Sequence, residues 1–157
     1  LLLGSSKTLS TAESCTGGYI AHLITSVPGS SAYFKGSVIA YNNAVKVAHL
    51  GVKQADINRN GAVSQEVVEQ MAIGAIKEFE TDYSIASSGI LGPDGGSAEK
   101  PVGTIWIAVA SGSGVISEEI RLGKSRGRNA KITALTSLNM LRKYILSHEK
   151  IAPWVKT

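Results

Sequence analysis

The chain has 157 residues, 43% hydrophobic and 18% charged, which fits one domain with a buried core and excludes a disordered or low-complexity segment. No apolar run approaches the roughly 18 residues of a membrane span, residues 1–3 are too short for a signal sequence, and the single cysteine excludes an internal disulfide. The formal charge is +4, but residues 120–148 carry seven Lys or Arg and no acid, so that segment suits either an anionic partner or a solvated helix face.

In chain order, residues 7–12 (KTLSTA) predict a short strand. Gly17-Gly18 follows, then Ile20, Leu23, Ile24 and Val27 at helical spacing, until Pro28-Gly29 stops them. Residues 33–41 predict a second strand. Asn42-Asn43 caps a short helix over 44–50, which Gly51 ends. Ser64 caps the clearest helix, whose apolar face runs from Val67 to Phe79. Residues 82–88 predict a buried strand, 89–101 a glycine-rich loop, and 102–110 and 115–122 a hairpin. Ile132, Leu135, Leu138, Leu141 and Ile145 mark a last helix, and Trp154 docks back on the body. This order predicts a single α/β domain over 1–157, a layered fold with a mixed β-sheet flanked by helices. Ligands bind such sheets at strand C-termini, which selects the loops 13–18, 41–46 and 88–101.

The first loop holds two nucleophiles. Ser14 needs a base and oxyanion donors, or else Ser14 and Thr16 merely cap the helix. Cys15 competes, because a thiol at a helix start can ionise. However, His22, His49 and His148 are badly spaced to serve either one, and Cys15 reads better as a small buried hydrophobe. A buried lysine can replace histidine as the base, and Lys46, after Tyr41-Asn42-Asn43, is the candidate. The 87–104 loop lacks the Walker and Rossmann spacings, and no metal-binding spacing occurs. Arg126 and Arg128 are able to clamp a phosphate. No aromatic interleaves with the cations before Tyr144, which argues against a nucleic-acid platform.

AESCTGG (12–18), YNNAVK (41–46), GAVSQE (61–66), SGILGPDGG (88–96), KPVGT (100–104) and GKSRGR (123–128) together resemble the CinA C-terminal domain family. Its members are also known as PncC-type nicotinamide-nucleotide amidohydrolases and competence/damage-inducible proteins. The likeness covers about residues 5–146. It implies hydrolysis of nicotinamide mononucleotide to nicotinate mononucleotide and ammonia in pyridine nucleotide salvage. It also implies no cofactor, no metal, no nucleic-acid or membrane partner, a cytoplasmic bacterial homo-oligomer, and in some members fusion behind a molybdopterin-binding-like domain. The start without Met is compatible with that fusion.

The resemblance puts the nucleophile on Ser14, the base on Lys46 and an assisting tyrosine on Tyr41. It puts substrate contacts on Ser31, Ser88, Gly89 and Arg128, and the two glycine-rich turns themselves add Cys15, Thr16, Gly17, Gly18, Gly92 and Gly95, with the backbone of 15–18 as oxyanion donors. Leu91 stands where the family often has alanine, which narrows the pocket. The alternative is a catalytically impaired nucleotide-binding or regulatory domain of a larger protein.

Overall fold

A computed structural model of the chain describes residues 1–148. Five strands form one sheet in the order β2-β1-β3-β4-β5. Strand β1 (Leu9–Glu13) runs parallel to β2 (Phe34–Ile39) on one side and to the central β3 (Tyr83–Gly89) on the other. An antiparallel hairpin, β4 (Thr104–Ser111) and β5 (Gly114–Arg121), completes it beside β3. The layered α/β fold with a mixed sheet is therefore the fold observed. The chain leaves β1 on one side and returns on the other. That reversal opens a crevice beyond the carboxyl end of β1, where sheets of this kind bind ligands.

Helices cover both faces. α1 (Tyr19–Thr25) and α5 (Arg126–His148) pack over Leu9, Tyr83, Ile85 and Val109. α2 (Asn43–Leu50), α3 (Gln54–Asn60) and α4 (Gln65–Phe79) cover the other face. The sheet residues under α4 are small: Ser10, Ala12, Ser84, Ala86, Ala108 and Ala110. Small side chains let the helix approach closely. Ser84 Oγ then donates to the Ala72 carbonyl at 2.6 Å and Ser10 Oγ to the Ala75 carbonyl at 3.2 Å, so the buried hydroxyls are satisfied.

The expected caps are present. Asn42 Oδ1 accepts from the Ala44 amide, Gly51 is left-handed after α2, and Ser64 Oγ accepts from the Val67 amide. Three elements differ from expectation. α3 was not foreseen, because it buries only Ile57 and so has no apolar period. β1 runs on through Glu13, which pairs with Ile39 and Ser87. α5 begins at Arg126, well before its apolar stripe. Trp154 lies outside the described residues.

Gly74 marks the tightest contact between α4 and α2. A Cβ there would lie 2.0 Å from the Leu50 carbonyl oxygen. Gly74→Ala is therefore expected to destabilise the fold by about 3 kcal/mol, as overpacking against backbone does, measured by urea unfolding. An unchanged midpoint would show that the two helices separate freely.

Candidate active site

β1 ends at Glu13 and the chain turns at once. The Ser14 amide donates to the Ser87 carbonyl at 2.9 Å, and the Ser14 carbonyl accepts from the Gly17 amide at 3.2 Å. Gly17 and Gly18 sit at φ 58° and 98°, a region that favours glycine. From the adjacent strand, β2, the chain enters α2, and Lys46 projects back from its first turn. Lys46 Nζ lies 3.1 Å from Ser14 Oγ and donates to the Ala40 carbonyl at 2.7 Å.

Lys46 is 1% exposed. Among the described residues it joins neither ion pair, which are Lys7–Asp82 and Arg121–Glu119. Burial pushes its pKa below that of an ordinary lysine. The neutral amine has one lone pair. With an N–H held by Ala40, that lone pair can face the Ser14 hydroxyl and accept its proton.

The pair opens into a pocket of about 180 Å³ whose walls include Cys15, Tyr41, Ser88 and Leu91. Ala62 and Val63 also line it, and their carbonyls are held by two side chains. Ser88 Oγ donates to the Ala62 carbonyl at 2.7 Å, and Lys100 Nζ donates to the Val63 carbonyl at 2.7 Å and to the Asn60 carbonyl. Asn129 Nδ2 pins the Leu91 and Gly123 carbonyls at 2.9 and 2.7 Å. Gly89 is required by packing, since a Cβ there would meet Ile105 Cγ1 at 2.6 Å. Ligand sites usually exceed about 300 Å³, so this pocket has room for a small group rather than for a large ligand entire. No histidine lines it, and no cluster of three metal-binding side chains occurs among the described residues.

Several expected site residues fall elsewhere. Thr16 gives its hydroxyl to Glu13 at 2.6 Å, and the Gly18 amide donates to the same carboxylate at 3.0 Å, while Gly17 closes the turn. The Thr16 hydroxyl and the Gly17 and Gly18 amides are thus taken up inside the turn. Ser31 sits in a short 3-10 turn (Ser30–Ala32) before β2, at the opposite end of the parallel strands from Ser14. Tyr41 lines the mouth but is 62% exposed, and its hydroxyl accepts from Arg126 at 2.9 Å rather than meeting Lys46. Gly92 and Gly95 do not line the pocket; the Gly92 carbonyl instead accepts from Arg126 at 3.1 Å.

Arg128 also misses the pocket, and Arg126 lines it. Both lie on α5, where two residues of separation turn the side chain by about 200°, so only one can face inward. Asn43, which also lines the pocket, and Glu13, Lys100 and Asn129 behind it were not foreseen. The acid at the end of a strand of small residues was the visible signal for Glu13.

Residues 1–145 match the family described as CinA C-terminal domain. A CinA-like protein of Cytophaga hutchinsonii is 50% identical over 92% of this chain and 35% of its own length. A protein of Shewanella oneidensis named nicotinamide-nucleotide amidohydrolase PncC is 46% identical over 98% of this chain and 36% of its own. The chain thus spans about a third of the curated relatives it matches. Among solved structures, the competence/damage inducible protein CihA of Agrobacterium tumefaciens superposes with a TM-score of 0.86 at 41% identity, covering 88% of this chain and 85% of that one. The competence damage-inducible protein A of Klebsiella pneumoniae superposes with a TM-score of 0.90 at 26% identity, covering 94% and 92%.

Cys15 is buried against Leu91, Ile105 and Ile107, and burial pushes its thiol up to about 12. A thiolate is the reactive form. Iodoacetamide at pH 8 is therefore expected to label the folded chain at least tenfold more slowly than the unfolded chain. Equal rates would restore Cys15 as a rival nucleophile.

Proposed function

The chain belongs to the CinA C-terminal domain family, and on that premise we propose that it is a nicotinamide-nucleotide amidohydrolase. Its reaction converts nicotinamide mononucleotide and water to nicotinate mononucleotide and ammonia through a Ser14 acyl-enzyme. The observation that carries this reading is the 3.1 Å contact between Ser14 Oγ and a buried lysine amine. Support also comes from the Shewanella relative that bears the name of this activity.

In the proposed mechanism, neutral Lys46 takes the Ser14 proton as Oγ attacks the carboxamide carbon. The oxyanion falls to the Cys15 and Thr16 amides, which follow the nucleophile directly in the turn. Protonated Lys46 then gives its proton to the departing nitrogen, and ammonia leaves an ester on Ser14. Lys46 next deprotonates water, which attacks the ester carbon, and then returns that proton to Ser14 Oγ as the ester bond breaks and frees the carboxylate. Arg126, held by Gly92 and Tyr41 at the mouth, takes the 5′-phosphate that the small pocket leaves outside. The homo-oligomer, the fused domain and the cytoplasmic setting belong to the same proposal. No helix among the described residues is long and apolar enough to cross a membrane.

The second reading, nucleotide binding without turnover, is favoured by Leu91, which lines an already small pocket. One assay separates the two. Purified chain with nicotinamide mononucleotide and no added metal is expected to release ammonia, and Ser14→Ala is expected to release none. Binding without ammonia would favour the second reading, and full turnover by Ser14→Ala would remove Ser14 from the reaction.

Arg126→Ala is expected to raise KM about tenfold with kcat within threefold, since a phosphate contact far from the reacting carbon contributes mainly to binding. An unchanged KM would move the phosphate elsewhere.

The lowered Lys46 pKa has a definite sign. Activity needs the neutral amine, so kcat/KM rises with pH through the folded pKa and levels off below the ordinary lysine value of about 10.4. For stability, the unfolded chain binds the extra proton between the folded and unfolded pKa values, so stability rises with pH across that window. At pH 7 the cost of burying the amine is still present. Lys46→Met is therefore expected to gain about 1 kcal/mol in urea unfolding at pH 7 while losing ammonia release. A variant that is both less stable and still active would contradict the role.

A further inference from the structure

The mechanism above leaves one buried acid unused. Glu13 ends β1, is 0% exposed, and belongs to neither ion pair among the described residues. A buried carboxylate without a cation requires hydrogen bonds. Its Oε2 accepts from the Thr16 hydroxyl at 2.6 Å and from the Gly18 and Ile20 amides at 3.0 Å each, and its Oε1 accepts from the Ala21 amide at 2.8 Å. The protein's own carboxylate thus fills the amides at the start of α1.

The carboxylate also sets direction. Thr16 gives its one hydroxyl hydrogen to Glu13, so the Ser87 hydroxyl, 2.8 Å away, donates to Thr16. The Ser87 carbonyl in turn accepts the Ser14 amide at 2.9 Å. Glu13, Ser14, Ser87 and Thr16 close a ring, with one peptide bond and three hydrogen bonds. Inside it, the Gly17 amide holds the Ser14 carbonyl at 3.2 Å. Both backbone polar groups of Ser14 are fixed, while its Oγ lies 3.1 Å from Lys46 Nζ.

We propose that Glu13 is the positioning residue of the Ser14–Lys46 pair: acting through Thr16 and Ser87, it holds the serine oxygen within reach of the amine. This rests on Ser14 being the nucleophile. Displacing a reacting group by about 1 Å costs roughly a hundredfold in rate, so the ring is expected to show in chemistry before it shows in binding.

The test uses the whole chain and two readouts. A fluorophosphonate reports Ser14 reactivity without the nucleotide, and ammonia release reports the full reaction. Glu13→Gln keeps the shape but sets an NH2 donor against the Thr16 hydroxyl and the α1 amides. At a temperature where circular dichroism shows it folded, its phosphonylation rate and kcat are expected to fall more than tenfold, with KM within threefold. Wild-type rates in a folded variant with a lowered melting temperature would reduce Glu13 to a structural cap and overturn the proposal.

Should Glu13→Gln fail to fold, Thr16→Val cuts the ring and leaves the carboxylate on the α1 amides. It is expected to lose at least fivefold in both rates, and Thr16→Ser to return within twofold of wild type. Equal rates for Thr16→Val and wild type would overturn the proposal as well. A wild-type chain that reacts with the probe but not with nicotinamide mononucleotide contradicts the substrate alone, and the probe then decides the positioning. A wild-type chain inert to both overturns Ser14 and Glu13 together.

Discussion

A lysine amine shut away from water without a carboxylate is the constraint on which the site depends. Desolvation disfavours the ammonium form, and among the described residues Lys46 has a carbonyl and a hydroxyl as its hydrogen-bond partners. The fold produces this arrangement with one pair of parallel strands. Ser14 follows β1, and Lys46 lies one helical turn beyond β2. The Glu13–Ile39 register, extended by the Ala40 amide donating to the Glu13 carbonyl at 2.8 Å, sets how the two approach. A slip of one residue in that pairing would turn β2 over and carry Lys46 away.

The molecule keeps its two anion-handling tasks apart. A glycine turn entering a helix is a common cradle for phosphate, but here Glu13 already occupies those amides. The pocket's side-chain cation is Arg126, at the start of α5 on the far side of the mouth. Its guanidinium ties the 88–96 loop, through the Gly92 carbonyl, to the Tyr41 end of β2. The basic segment noted in the sequence thus reaches the pocket through one residue, and Arg128 beside it faces away. The pocket lining carries no acidic side chain, and the backbone of residues 62–63 is braced by Lys100 and Ser88.

Much of this was legible in the residues. Short runs of β-branched, apolar and small residues placed β1, β3 and β4, and Asn42, Gly51 and Ser64 declared the helix ends because their chemistry is local. Ser14 and Lys46 were legible through loop order and family resemblance, and their contact follows from the β1–β2 register. What stayed hidden was non-local. The Thr16 hydroxyl and the Gly18 amide look like ligand donors until the Glu13 carboxylate is seen to take them. Arg126 and Arg128 look like a clamp until α5 is seen to start at Arg126 and point them apart. α3 left no trace because a seven-residue helix with one buried side chain has no period to detect.

The claim that Lys46 is neutral beside Ser14 is tested most directly by nuclear magnetic resonance of the chain with 13C,15N-labelled lysine. The Lys46 resonance, assigned through Lys46→Met, should titrate clearly below the other lysines and should report a neutral amine where ammonia release is maximal. Titration alongside the surface lysines, near pH 10.4, would mean that an ammonium faces Ser14 at working pH, and the proposed base would be lost.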